Sequence, residues 1–264
     1  MKAYQPIAAI VCFVLTSLSA SLQATIVEFR TSMGDFEVNL FDEITPETVQ
    51  NFLAYVEQES YQLSVIHRSV PGFIIQGGGF AYDADVDDDQ LPVSVIAAND
   101  AIINEPKLSN RRGTIAMAKL ANDPNSATNQ WFFNLDDNSA NLDAQNGGFT
   151  VFGQVSEQGL EILDAMAALP RFNLDNGVLR EVPLRNYSTE DANSGAKISD
   201  DHLVIIESVV IVDSRVDTAA GLDPVANEVE PEIPWGSPPS AGSISWWLLA
   251  FAALAVSWRG RPKR

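Results

Sequence analysis

Arg68 and Gln76 flank a Pro71-Gly72 turn in the run "IHRSVPGFIIQGGGF", and Gln130 and Phe132 stand two apart in "NQWFFNL". An arginine, two amides and apolar neighbours suit a reaction that needs placed charge and shape but no nucleophile. The sequence has no G-x-S-x-G elbow, no H-E-x-x-H, no cysteine pair and no G-x-x-x-x-G-K loop, so nucleophilic, zinc and nucleotide chemistry are poorly supported. Gly77, Gly78 and Gly79 follow a strand and do not open a helix. They are therefore expected to let a ligand backbone or a loop approach closely, not to cradle a phosphate. The run "YDADVDDDQ" lacks the glycine and closing glutamate of an EF-hand and reads as a solvated acidic loop in a chain of net charge −19.

These residues need strands to position them. Side chains alternate along a strand, so Gln130 and Phe132 share one face while Trp131 and Phe133 share the other. The same rule pairs Ile74 with Gln76, and Arg68 with Ile66 and Val70. The simplest assembly gathers Arg68, Ile74, Gln76, Gln130 and Phe132 on one outward concave surface, while Ile115, Met117, Trp131 and Phe133 fill the interior. His67 then points away from Arg68 as a hydrogen-bonded structural residue, and His202 lies at the surface.

Strands are expected at 63–69, 73–76, 114–119, 130–135 and 150–155. "TIVEFRTSMGDFEVNLF" reads as a hairpin turning at Met33-Gly34-Asp35, and "HLVIIESVVIVDS" as a final strand pair. One helix starts in "TPETVQNFLAYVEQESY" with Thr45 as N-cap and Pro46 at the first position, its apolar stripe running through Val49, Phe52, Leu53 and Val56. A second is expected at 157–168. Many short strands with two helices predict a closed or nearly closed β-barrel capped by helices.

The two ends differ from this middle. Residues 1–24 combine Lys2, an apolar run and small residues near Ala20 and Ala24, the layout of a signal peptide. The lone Cys12 falls inside it, leaving a mature chain without disulfides. Residues 214–243, rich in Pro, Gly, Ala and acid, are expected to be a disordered linker. Residues 244–264 form an apolar stretch closed by "RGRPKR", a stop signal with its basic end inside. They resemble the tripartite C-terminal sorting signals of Gram-negative bacteria, which implies a membrane anchor or a segment removed by a sorting peptidase. An exported, periplasmic or envelope location follows, with association to the membrane at least in passing.

Between these ends, "TPETVQNF", "IHRSVPGFIIQGGGF", "RGTIAMAK", "NSATNQWFF" and "FTVFGQV" resemble the cyclophilin-type peptidyl-prolyl cis/trans isomerases, most closely the bacterial periplasmic branch. The resemblance covers residues 25–213. It implies an eight-stranded antiparallel closed β-barrel capped by two α-helices, no cofactor or metal, proline-containing and unfolded exported polypeptides as partners, and no nucleic acid. It implies Arg68 as the donor to the prolyl nitrogen, with Gln76 orienting Arg68 and holding the substrate backbone. Phe73, Ile74, Phe132 and Leu142 would clasp the proline ring, Phe73 being twisted inward by the Pro71-Gly72 turn. Ala118 and Gln130 would edge the groove for the preceding residues, and Phe149 would be a further substrate-binding residue.

Three positions depart from the family pattern and bear on the pocket's outline. Asn141 precedes Leu142-Asp143 where an aromatic is common, Phe149 stands where eukaryotic members have histidine, and Lys119 stands where Asn is common. The stretch 170–201 is long for a loop and has no assigned role. Two other readings are a cyclophilin-fold chaperone or peptide-binding module without turnover, and a surface protein using the barrel as a spacer.

Overall fold

The computed structural model describes residues 25–87, 91–175, 177–214 and 222–229. The expected signal peptide, the C-terminal apolar segment and most of the linker lie outside them. Among the described residues no helix is long and apolar enough to cross a membrane.

Thirteen strands are present among the described residues: β1 (Ile26–Thr31), β2 (Phe36–Leu40), β3 (Ser64–Val65), β4 (Arg68–Val70), β5 (Ile74–Gly77), β6 (Phe80–Tyr82), β7 (Val93–Val95), β8 (Thr114–Met117), β9 (Trp131–Asn134), β10 (Val151–Val155), β11 (Arg171–Phe172), β12 (Val182–Pro183) and β13 (Ile205–Asp213). Eleven form one curled antiparallel sheet in the order β4-β5-β9-β8-β10-β2-β1-β13-β3-β6-β7, while β11 and β12 pair separately. This is a row of short pieces, where eight strands were expected. The stretch 64–70 is one reason. Its first half pairs with β13 and its second with β5, and between them Ile66 N–H donates to Val204 O and His67 N–H to Gln76 O. One run of chain therefore belongs to both arms of the sheet.

Alternation builds the core. Val27 and Phe29 of β1 and Phe36, Val38 and Leu40 of β2 are buried, while the residues between them are partly or fully exposed. The Phe29 ring stacks on Phe36 at 5.2 Å and meets Trp131 and Phe133 edge-on at 5.3 and 5.6 Å, geometries that aromatic quadrupoles favour. Ile115, Met117, Trp131 and Phe133 belong to this core as the alternation predicts. Ile66 does too, and so does not share a side with Arg68. The strand is interrupted at Ile66-His67, and a period-two count cannot be carried across the break.

Two longer helices cover the core. In α1 (Pro46–Glu57), Val49, Phe52, Tyr55 and Val56 are buried. Thr45 is the N-cap residue but makes no side-chain capping bond; the Glu105 carboxylate accepts from Thr48 N–H at 2.9 Å instead. A carboxylate is the stronger acceptor at a helix N-terminus. Two short helices follow α1, namely α2 (Ser139–Leu142), then a 3₁₀ turn at Gln145–Gly147. At the start of α3 (Glu157–Ala167), Ser156 Oγ accepts from Gly159 N–H, and the helix buries Leu163 and Met166. The last helix, α4 (Thr189–Ser194), carries a capping box between Ser188 and Asp191.

Two further expectations change. The end of the domain is a single nine-residue strand, β13, pairing with β1 and β3, where a strand pair was expected. Residues 222–229, inside the expected linker, run as a strap: Ser109 N–H donates to Val225 O, Asn227 N–H to Lys107 O, and Asn227 Nδ2 to Asp143 O. Composition forecasts how much apolar surface a segment can bury, but backbone groups at an open edge need partners whatever the composition.

Candidate active site

One rung of the sheet carries the site. Cα partners run from Arg68 on β4 to Gln76 on β5, Phe132 on β9, Ala116 on β8 and Val151 on β10. Their faces turn away from the aromatic core. A second apolar cluster forms there from Ile74, Ala116, Ala118, Phe132, Leu142, Phe149 and Val151, with Phe73 packed against it. Phe149 meets Phe132 edge-on at 5.8 Å. Gly72 takes φ of +69°, a conformation suited to glycine, and the turn returns Phe73 N–H to Val70 O so that the ring joins the cluster.

All nine residues singled out from the sequence thus come to one face, but their bonding differs from expectation. Gln76 was expected to orient Arg68. Its amide Nε2 instead donates to Gln130 Oε1 at 2.8 Å, joining the two glutamines across β5 and β9. Gln76 Oε1 is buried with no hydrogen-bond partner. Arg68 Nε pairs with Glu181 Oε2 at 3.3 Å, a partner sequence reasoning missed. Burial pushes the Arg68 guanidinium down from its ordinary pKa, and the Glu181 charge offsets part of that shift.

His67 faces the other way, as expected, with the Val65 backbone and the Gln130 side chain as its hydrogen-bond neighbours. It is buried, edge-on to Phe80 at 5.1 Å, and lines a void of about 10 Å³ with Val65, Val182 and Leu203. Burial, then the neighbouring Arg68 charge, lowers its pKa to about 4, which keeps the ring neutral. His202 is half-buried, its Nδ1 accepting from Ser199 N–H at 3.0 Å. The glycines admit the protein's own strand: a Cβ at Gly77 would lie 2.6 Å from the Trp131 ring, and one at Gly78 would lie 2.5 Å from Asn129 O.

The pocket wall beyond Phe132 is held by buried polar groups. The Asp143 carboxylate accepts from Ser109 Oγ, Asn110 N–H and Asn110 Nδ2 at 2.6, 2.7 and 3.0 Å, which fixes the neighbouring Leu142. Lys119 is buried, donates to Asn146 O and Gly148 O at 2.8 and 2.6 Å, and lies 4.7 Å from the Phe149 ring centroid. Burial lowers its pKa to about 7. Among the described residues no group of three or more His, Cys, Asp or Glu could hold a metal ion.

The family model for cyclophilin type peptidyl-prolyl cis-trans isomerase/CLD matches residues 26–189. The chain belongs to the cyclophilin family. Similar bacterial proteins include a peptidyl-prolyl cis-trans isomerase of Acinetobacter baylyi, 37% identical over 164 residues, which are 61% of this chain and 82% of that one. Peptidyl-prolyl cis-trans isomerase A of Dickeya dadantii is 37% identical over 183 residues, 67% of this chain and 90% of that one. Peptidyl-prolyl cis-trans isomerase B of Escherichia coli is 35% identical over 170 residues, 62% and 96%. This cyclophilin's strap at 222–229 lies beyond the matched region, whereas Glu181 lies inside it.

Proposed function

We propose that this cyclophilin accelerates cis/trans rotation about X-Pro bonds in unfolded, exported polypeptides, with Arg68 as donor to the prolyl nitrogen. Family membership carries the isomerase activity. The common rung of Arg68, Gln76 and Phe132 is the observation that best supports the residue roles.

Resonance gives the peptide C–N bond a rotation barrier of about 18–20 kcal/mol, and X-Pro bonds isomerise unaided over tens to hundreds of seconds. Rotation breaks conjugation and leaves a lone pair on the nitrogen. A guanidinium N–H directed at that lone pair stabilises the twisted state more than either planar one, which is what lowers a barrier. The apolar cluster of Phe73, Ile74, Phe132, Leu142 and Phe149 holds the ring and excludes water, so the preceding carbonyl is the part that swings. Gln76 Oε1, costly to bury unsatisfied, is relieved when a substrate backbone N–H donates to it. Gln130 and Ala118 edge the groove for the residues before the proline.

We also read the curled sheet as an eight-strand barrel closed through residues 64–70, counting β3 with β4 and β5 with β6 as single bent strands and leaving β7, which pairs only with β6, outside the ring. Residues 1–24 would export the domain. Residues 244–264 would tether it or be cut by a sorting peptidase, and a mature protein that keeps Met1 would count against export.

The test is exchange NMR on an X-Pro peptide. Loss of one preorganised donor costs about 10²–10³ in kcat, and Arg68→Ala is expected to fall in that range with the fold intact. Wild-type turnover in Arg68→Ala would overturn the arginine's role. Peptide binding without acceleration by either protein would favour a binding module.

A further inference from the structure

The stretch 170–201, which had no assigned role, delivers a side chain to Arg68. β11 and β12 pair antiparallel, Arg171 opposite Pro183 and Phe172 opposite Val182. The tip between them is closed by Leu174 N–H donating to Leu179 O, and by Asp175 Oδ1 accepting from Gly177 and Leu179 N–H. The hairpin is seated on the sheet. Leu179, Val182, Leu184 and Tyr187 pack with Val65, Leu203 and Ile205 in an apolar cluster of their own. Leu184 bridges to Leu203, and Arg185 donates to Leu203 O and Ser32 O.

At the point where this hairpin passes β4, Ser69 N–H donates to Glu181 O at 2.8 Å. β4 is the terminal strand of the row, so this bond satisfies a backbone donor on the side away from β5. It also sets Glu181 against the residue next to Ser69. Arg68 Nε and Glu181 Oε2 are 3.3 Å apart, with 12% of the arginine side chain and 36% of the glutamate side chain exposed. An acceptor on Nε fixes the plane of a guanidinium and so the direction of both Nη groups.

We propose that Glu181 is a positioning residue for the isomerase reaction, its carboxylate holding the Arg68 guanidinium in the plane that meets the prolyl nitrogen. The inference rests on Arg68 being the donor. The glutamate touches no substrate atom and acts through the arginine, so its loss should lower kcat more than it changes peptide affinity.

The experiment uses the full chain and the same X-Pro peptide exchange assay. Glu181→Gln keeps the side-chain shape and the backbone bond to Ser69, so folding is expected to be retained. Its kcat should fall about tenfold, the size of one charge-assisted hydrogen bond, with KM within about twofold. Glu181→Asp should recover part of the loss. The double variant Arg68→Ala with Glu181→Gln should be no slower than Arg68→Ala alone, because the second change then has nothing left to act through. In parallel, the Arg68 Nε–H NMR signal should exchange faster with water in Glu181→Gln. Wild-type kcat and unchanged Nε–H exchange in Glu181→Gln would overturn the proposal, as would a further tenfold loss in the double variant. If Arg68→Ala itself keeps full activity, the donor assignment fails and this role falls with it, a result the Arg68→Ala arm separates from the others.

Discussion

Trp131, Phe132 and Phe133 are consecutive, buried and aromatic, yet they fall in two environments. Trp131 and Phe133 enter a core shared with α1, α3 and most of the sheet, while Phe132 enters the smaller cluster beside Gln76 and Gln130. The core side packs its rings edge-on and stacked. Each side leaves a buried polar atom without a partner, Trp131 Nε1 in the core and Gln76 Oε1 in the groove, but only the groove joins polar side chains across its strands, Gln76 to Gln130. Burial alone therefore does not separate structural from functional aromatics; the polar company does. Charge separates two neighbours in the same way: His67, buried edge-on to Phe80, is held neutral, while Arg68 pairs with the Glu181 carboxylate.

The sharpest way to break the comparison is to truncate one ring on each side. Phe133→Ala should cost about 3–5 kcal/mol of stability, since large buried aromatics lose both transfer energy and packing. Phe132→Ala should cost less, because its cluster is smaller, and should lose kcat/KM out of proportion to its stability. Urea unfolding of both variants beside peptide exchange decides the matter. Equal stability loss with equal residual activity would mean that the two sides do not differ in kind.

Both sides of β9 were legible in the sequence because a short, regular strand keeps period two without interruption. The groove's amides were legible too, since Gln76 and Gln130 sit in phase with Ile74 and Phe132. What escaped has one physical cause. Glu181 reaches Arg68 from 113 residues away, out of a stretch with no hydrophobic period to place it. Glu105 takes over the capping of α1 from 57 residues beyond Thr48 in the same manner. Ile66 was misassigned because the strand breaks beside it. Long-range polar partners and breaks in a strand leave no local trace, whereas alternation does.

A second prediction concerns His67. Its folded pKa of about 4 lies below the ordinary 6.5, so between those values the unfolded chain binds a proton that the native chain refuses. Stability is then unaffected by this group above pH 6.5 and falls as pH drops toward 4, by about 3 kcal/mol at 1.36 kcal/mol per unit. Carboxylates titrate over part of the same range, so the measurement is a difference: urea midpoints of wild type and His67→Gln across pH 4–7. The wild type should show the steeper acid loss. Parallel curves would mean that His67 is solvated, and would erase its contrast with Arg68.

The smallest expected effect tests how the groove side is held from outside. Asn227 Nδ2 donates to Asp143 O at 2.9 Å, and Asp143 fixes Leu142 through three bonds from Ser109 and Asn110. The strap thus braces the far wall of the proline pocket from a point beyond the family match. Asn227→Ala removes one neutral hydrogen bond and leaves the strap's backbone bonds to Lys107 and Ser109 in place. The expected loss is about 1 kcal/mol of stability. Because the wall and not the donor is loosened, KM for an X-Pro peptide should rise more than kcat falls, the opposite of the Glu181→Gln pattern. A variant with unchanged urea midpoint and unchanged KM would show that the strap lies against the domain without supporting the pocket.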